Sequence, residues 1–154
     1  AIDQHELARA IDAGHLALEL GQPFKVLGKT ERGVLVAFTG KGAPDLWVWT
    51  LDNRMVLAEM KTWAETDRWP LAQVKPHQGR AFQRATAKGA VCGIILLFQG
   101  SLWWLSWAAI AEKWAAREAG EGKTGECSLT ITDVATLGRR VIGTDWLKIA
   151  LGTP

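Results

Sequence analysis

The stretch that most constrains the fold has twenty residues, GAPDLWVWTLDNRMVLAEMK, and ends at Lys61. It contains two apolar runs separated by a short polar segment near residues 51–54, which is typical of a β-hairpin. Asp45 opens the first run, and Glu59 and Lys61 close the second. Side chains alternate between the two faces of a strand, so Glu59 and Lys61 share one face and Met60 lies on the other. The hairpin would bring Asp45 beside this pair, and we interpret the cluster as a divalent-metal site with a neighbouring lysine.

Length and composition favour a single domain. A chain of 154 residues with 48% apolar content is long and apolar enough for one proper core. Apolar runs alternate with helical patterns, which predicts an α/β fold with a central mixed sheet of about five strands flanked by helices. The net charge of +2 permits binding to nucleic acid without requiring it.

Cysteine content and hydropathy predict a cytoplasmic protein without a membrane span. Cys92 and Cys127 are the only cysteines, and they supply neither a disulfide framework nor a zinc-binding spacing. Cys92 lies in an apolar run and is expected to be a reduced core residue. The sequence does not begin with a signal-peptide pattern, and the apolar stretch near residues 94–110 is interrupted by polar residues.

Periodicity and breaker residues divide the chain into predicted elements. Residues 62–74 are expected to form a polar loop. Ser106 is the expected N-cap of the helix that follows it. Besides the hairpin, strands are predicted over residues 24–27, 34–38, 91–98 and 102–105, and helices over residues 3–20, 76–88, 107–119, 133–137 and 145–151.

The helix predicted over residues 76–88 carries a row of basic side chains. They recur every three or four residues and are His77, Arg80, Arg84 and Lys88. Such a row beside an acidic site suits a phosphodiester substrate, because phosphate neutralisation supplies most non-specific DNA affinity. The alternative is an ordinary solvated helix face. Lys41, in a glycine-rich segment, is another candidate for a phosphate contact, or else a solvated loop lysine.

Nine tryptophans and no tyrosine are present. We favour core and interface packing over stacking on exposed bases, because most of the tryptophans lie in strongly apolar surroundings. Aromatic side chains are enriched at interfaces. Trp103, Trp104 and Trp107, or the C-terminal helix, are therefore candidates for a dimer surface.

Several of these residues also carry a family resemblance. Pro44-Asp45 followed by Glu59-Met60-Lys61 resembles the signature of the PD-(D/E)XK nucleases, and the spacing of 14 residues between the two acids suits a hairpin in that superfamily. Between about residues 42 and 98, the chain resembles the RecU-type Holliday junction resolvases and their phage relatives. This part of the resemblance rests on Trp69-Pro70-Leu71, His77-Gln78, Gly89-Ala90-Val91 and the run IILLF. It implies a restriction-endonuclease-like core, with residues 1–154 forming a single nuclease domain.

The resemblance also implies roles for the residues of the hairpin. Asp45 and Glu59 would bind one or two Mg²⁺ ions, for which Mn²⁺ would substitute, with the backbone carbonyl of Met60 as a further ligand. Lys61 would orient the attacking water, stabilise charge on the phosphorus or act as the base, and the sequence does not separate these roles. Gln78 matches the family's helix glutamine, which tends to lie by the active site, and is included among the catalytic candidates.

A glutamate from the first helix often reaches the metal in related nucleases. Glu6 is the best-placed residue for that role here, with Glu19 and Asp12 as rivals. The alternative is that Glu6 only favours the helix N-terminus through the macrodipole.

The resemblance implies a metal-dependent endonuclease that resolves four-way DNA junctions, acting as a homodimer with paired symmetric nicks. Recognition would rest on junction shape and backbone. The chain departs from bacterial RecU proteins because it has neither a long basic N-terminal extension nor a clear insertion between the early strands. This favours a compact phage-type or archaeal-like arrangement, and a phage-encoded protein would act in the host cytoplasm.

Other functions remain open on the sequence. The acidic and basic residues of the hairpin could form a surface ion-pair cluster. The chain could be a different PD-(D/E)XK nuclease, cutting flaps, single strands or restriction-type sites. It could also be a DNA-binding relative without catalysis, or an assembly protein whose tryptophan-rich surface binds a partner.

Overall fold

The computed structural model describes residues 24–30, 33–38, 45–50, 54–120, 127–143 and 146–152. Glu6, Lys41 and the predicted helix over residues 3–20 lie outside this part of the chain. The described helices are α1 (Pro76–Ala87), α2 (Trp107–Glu118), α3 (Ile131–Leu137) and α4 (Trp146–Gly152). The strands are β1 (Phe24–Thr30), β2 (Gly33–Phe38), β3 (Leu46–Thr50), β4 (Met55–Trp63), β5 (Arg68–Pro70), β6 (Val91–Phe98), β7 (Ser101–Ser106), β8 (Ser128–Thr130) and β9 (Arg139–Val141).

The described strands form one large mixed sheet and one small sheet. The large sheet has seven strands in the order β1-β2-β3-β4-β6-β7-β9, and β5 pairs with β8 in the small one. Neighbouring strands of the large sheet are antiparallel except β4 and β6, which are parallel and are connected through α1. The predicted α/β class and mixed central sheet are confirmed. The sheet extends beyond the predicted five or so strands.

The hairpin forms as its pattern predicts. Strands β3 and β4 pair with Leu46 opposite Ala58 and Trp49 opposite Met55. This register extends one step further to place Asp45 next to Glu59. Because β4 continues to Trp63, its residues after Ala58 project beyond Leu46, the first residue of β3.

Two apolar clusters, one on each face of the sheet, hold the helices in place. On the first face, side chains of β4, β6 and β7 pack against α1, α2 and α3; the cluster includes Leu57, Ile94, Leu96, Leu105, Phe82, Ile110, Trp114 and Val134. On the second face, α4 covers the sheet, and that cluster includes Val48, Val56, Ala58, Ile95, Trp104, Val141, Leu147 and Ala150. The alternation of apolar residues to both faces explains why β4 and β6 read as nearly continuous apolar runs.

Helix ends follow local sequence signals. The Ser106 hydroxyl accepts a hydrogen bond from the Ala109 amide at 3.3 Å, as expected of an N-cap. Gly89 ends the turn after α1 with φ at 89°, a conformation that favours glycine. Among the described helices, none is long and apolar enough to cross a membrane.

Two predictions require correction. Residues 62–74 are not a simple polar loop, because β4 extends to Trp63 and the segment also contains β5 and a 3-10 turn (Leu71–Gln73). Trp104 and Trp107 do not form a dimer surface, because only 0% and 3% of their surfaces are exposed. Trp104 and Trp107 are therefore core residues, which is the packing role that the sequence favoured. Trp103 is partly buried, and its place in a dimer surface stays a prediction, as does that of the C-terminal helix.

Candidate active site

The hairpin joins Asp45 and Glu59 through backbone hydrogen bonds. The Asp45 amide donates to Glu59 Oε2 at 3.2 Å, and the Met60 amide donates to Asp45 Oδ2 at 2.8 Å. Each carboxylate thus accepts a bond from the strand that carries the other. These reciprocal bonds hold two acidic groups together, although their charges repel.

Gln78 connects the first turn of α1 to the acidic pair. Its Nε2 donates to Glu59 Oε1, and its Oε1 accepts from Lys61 Nζ at 3.0 Å and from the Lys75 amide at 2.9 Å. The side-chain amide therefore has a defined orientation, with its donor toward the carboxylate and its acceptor toward the cation. Gln78 is 9% exposed, so water competes little for these bonds. The structure thus brings Gln78 into contact with Glu59 and Lys61, as the resemblance leads one to expect of the helix glutamine.

Burial and charge determine the protonation of the cluster. Burial, followed by repulsion from the Asp45 charge, raises the pKa of Glu59 to about 7, against the opposing effect of the Lys61 charge. Burial also lowers the pKa of Lys61, although the Glu59 and Asp45 charges act in the other direction. The Lys61 ammonium lies 3.9 Å from Glu59 Oε1. Both groups have a less stable charged form than in water, as is common at functional sites.

The donor set fits a hard divalent cation. Carboxylate oxygens are the ligands that Mg²⁺ prefers, and this ion commonly uses one or two of them together with water and substrate phosphate. The pair formed by Asp45 and Glu59 offers such oxygens, and a cation between them would offset the repulsion that raises the pKa of Glu59. Among the described residues, no group of three or more His, Cys, Asp or Glu side chains is placed to hold a metal ion.

Met60 has its backbone and side chain in different environments. Its amide is bonded to Asp45, whereas its side chain is 55% exposed and lies on the face opposite Glu59 and Lys61. The role of its carbonyl as a metal ligand remains a prediction, as does the role of Glu6, which lies outside the described residues.

The basic row of α1 lies on the solvent side of the helix. His77, Arg80, Arg84 and Lys88 are all exposed, and Lys88 follows the last residue of α1 as its C-cap. The opposite side of α1 is buried against the core through Ala81, Phe82 and Ala85. The basic row is therefore on the solvent-exposed surface, and its contact with DNA remains a prediction.

Lys75 is a residue that the sequence reasoning missed. Its charge contributes to the lowered pKa of Lys61, and its amide bonds the side chain that orients the cluster. The signal available in the sequence was its position immediately before Pro76, where a helix start would place it beside the site.

Comparison with known proteins places this geometry in context. No family model matches the sequence, and no curated protein matches it. Among solved structures, the chain is similar to Hjc from Archaeoglobus fulgidus, a Holliday junction resolvase from an archaeal hyperthermophile. The superposition has a TM-score of 0.44 with 10% sequence identity, and it covers 87% of this chain and 94% of that chain.

Proposed function

We propose that this protein is a metal-dependent endonuclease that cleaves DNA phosphodiester bonds. The observation that carries the proposal is the convergence of Asp45, Glu59, Lys61 and Gln78 at one end of the hairpin. A surface ion-pair cluster would not require a glutamate that is only 5% exposed and whose pKa is raised to about 7.

Each side chain has a role that its position supports. Asp45 and Glu59 would hold the cation, and Gln78 would fix the Glu59 carboxylate and the Lys61 ammonium in one arrangement. When bound, Mg²⁺ supplies Lewis-acid stabilisation of the phosphate and lowers the pKa of water. Lys61 would place a positive charge where negative charge develops on the phosphate oxygens. Burial lowers the pKa of Lys61, which makes its amine a better candidate base than a lysine in water.

We propose four-way DNA junctions as the substrate and a homodimer as the active form. The sequence resemblance of residues 42–98 to RecU-type resolvases supports both. The exposed basic row on α1 supports binding to a phosphate backbone without base recognition. A two-fold symmetric dimer would place two sites to nick two strands of like polarity.

The test is a cleavage assay with Mg²⁺, or Mn²⁺, on four labelled substrates: a four-way junction, a flap, a linear duplex and a single strand. Paired symmetric nicks confined to the junction, together with a dimer mass in light scattering, are expected. Cutting of flaps or single strands would retain the nuclease and reject the resolvase. A folded protein that cuts none of the four would reject the catalytic role of this site.

A further inference from the structure

A second basic surface lies at the far edge of the sheet. It is a groove of about 320 Å³ between β9 and α4, which we call the β9–α4 groove. Its lining residues are Arg139, Arg140, Ile142, Lys148, Ile149 and Gly152. The three cationic side chains are exposed, and no acidic side chain is among the described residues of the lining. This groove shares no residue with the candidate active site or with the basic row of α1.

The strand register locates the groove relative to the active site. Lys61 pairs with Leu96, Leu96 with Trp103, and Trp103 with Arg140. Residues paired in this way share one face, so Arg140 projects on the face that carries Lys61. Three strand spacings separate the two positions, which corresponds to about 14 Å.

The other cations of the groove lie toward the opposite face. Arg139 precedes Arg140 in β9 and therefore projects to the second face. Lys148 is an exposed residue of α4, whose buried side packs on that second face through Leu147 and Ala150. The groove thus continues around the outermost described strand of the sheet, away from the face where Glu59 and Lys61 lie.

We infer that the β9–α4 groove binds the phosphate backbone of a second duplex arm of branched DNA. The inference rests on the proposed nuclease function. A straight duplex that contacts Glu59, Lys61 and the basic row of α1 binds on the α1 side of the sheet and leaves the α4 side, on the opposite face, unoccupied. A branched substrate has a second arm that leaves in another direction and can reach Arg139 and Lys148. Three cations, with no carboxylate among the described lining residues, are complementary to such a polyanion.

The Ile142 side chain gives the groove a second property. It is 73% exposed, the largest exposed fraction among the described large apolar residues. An apolar side chain among cations can contact deoxyribose while the cations contact phosphate. This combination binds DNA backbone without reading sequence, as junction recognition requires.

The experiment measures binding without divalent metal, so that it does not depend on cleavage. Fluorescence anisotropy in EDTA would compare a four-way junction with a linear duplex of the same arm sequence across a range of salt concentrations. The double variant Arg139→Ala/Arg140→Ala is expected to lose about tenfold in junction affinity, with a salt slope smaller by about two, because each lost phosphate contact lowers the slope by about one. Its affinity for the linear duplex is expected to fall by a clearly smaller factor, because of the two residues only Arg140 lies on the face that carries Lys61.

Two further variants control for charge and for folding. The double variant Lys113→Ala/Arg117→Ala removes the same number of positive charges from α2, outside the groove. It is expected to bind both DNAs as wild type does. Lys148→Glu tests the groove from α4 and leaves β9 intact, so a folding defect of the β9 variant cannot account for both results. Circular dichroism would establish that each variant is folded.

The inference is overturned if the β9 variant binds the junction as the α2 control does. It is also overturned if affinity for the linear duplex falls in parallel with junction affinity. Failure of the proposed nuclease would appear separately, as absence of cleavage by a protein whose metal-free binding preference is intact.

Discussion

At the scale of single residues, Gln78 is the group on which the candidate site depends for its order. One amide bonds a carboxylate and an ammonium at the same time, and a backbone amide completes its bonding. The sequence suggested Gln78 only through a family resemblance, because a polar residue in a helix has many possible partners. Its bonds to residues 17 and 19 positions earlier arise only once α1 has packed against the sheet.

Substitution of Glu59 or Lys61 distinguishes a loss of cleavage from a loss of DNA binding. We expect Glu59→Gln and Lys61→Ala each to reduce Mg²⁺-dependent cleavage by at least about 100-fold, because each removes charge from the reacting phosphate's surroundings. Metal-free affinity for the same DNA should change by less than about threefold, since the exposed basic residues are unaltered. Lys113→Ala is the matched control for loss of a lysine. If Lys61→Ala cleaved DNA as fast as Lys113→Ala does, the assignment of Lys61 to the active site would be wrong.

The raised pKa of Glu59 predicts how stability changes with pH. In the folded protein its pKa is about 7, above its ordinary value of 4.5, so the folded state retains a proton that the unfolded chain releases. Stability of the metal-free protein should therefore fall as pH rises from about 4.5 to about 7, and then level off, by at most about 3 kcal/mol. Urea unfolding in EDTA at pH 5 to 8 would measure the change.

Glu59→Gln supplies the comparison, because it lacks the titrating group. The difference in unfolding free energy between wild type and this variant should vary across that pH range. Parallel pH profiles would contradict the raised pKa. Added Mg²⁺ should stabilise wild type more at pH 8 than at pH 6, because the ionised carboxylate is the form that binds a cation.

At the scale of elements, the contact between α1 and α2 depends on one glycine. A Cβ at Gly79 would lie 2.3 Å from a ring carbon of Trp114, whose indole nitrogen donates to the Val74 carbonyl at 2.9 Å. The ring therefore cannot shift without losing a buried hydrogen bond. Because α1 also carries Gln78, this contact positions the candidate site as well as the core.

We expect Gly79→Ala to destabilise the protein by about 1–3 kcal/mol, because overpacking outweighs the higher helix propensity of alanine. Gln83→Ala, at an exposed position of the same helix, is the control and should change stability by less than about 0.5 kcal/mol. Urea unfolding of the three proteins would measure both effects. Equal stability of Gly79→Ala and the control would show that the two helices separate easily at this point.

The elements that could be predicted from the sequence are those with local signals. The hairpin, β6 and the Ser106 cap each follow from a continuous pattern within a few residues. The three-residue strands β5, β8 and β9 could not be predicted, because each exists only through pairing with a distant segment. In the site, alternation placed Glu59 and Lys61 together correctly. The contribution of Lys75 depends on how α1 packs against the sheet, and the sequence has no local signal for that packing.

At the scale of the whole molecule, the two apolar clusters shield the core side chains from solvent. A reagent is expected to reach those side chains only when the whole protein unfolds. Cys92 is 4% exposed in the core, and burial raises the pKa of its thiol to about 12. We expect Cys92 to react with a disulfide reagent only at the rate of global unfolding, and the half-buried Cys127 to react faster. The variants Cys127→Ser and Cys92→Ser isolate the two thiols, and equally fast labelling of both would contradict the core position of Cys92.

The converging side chains of the site all come from one continuous part of the chain, between Asp45 and Gln78. The groove between β9 and α4 comes from another part, more than 60 residues later. In evolutionary terms, the chemistry can be inherited as one segment while the later segment diverges. Under the proposed function, descendants of such a chain could acquire new DNA shapes as targets by changing β9 and α4 alone, without altering the residues assigned to cleavage.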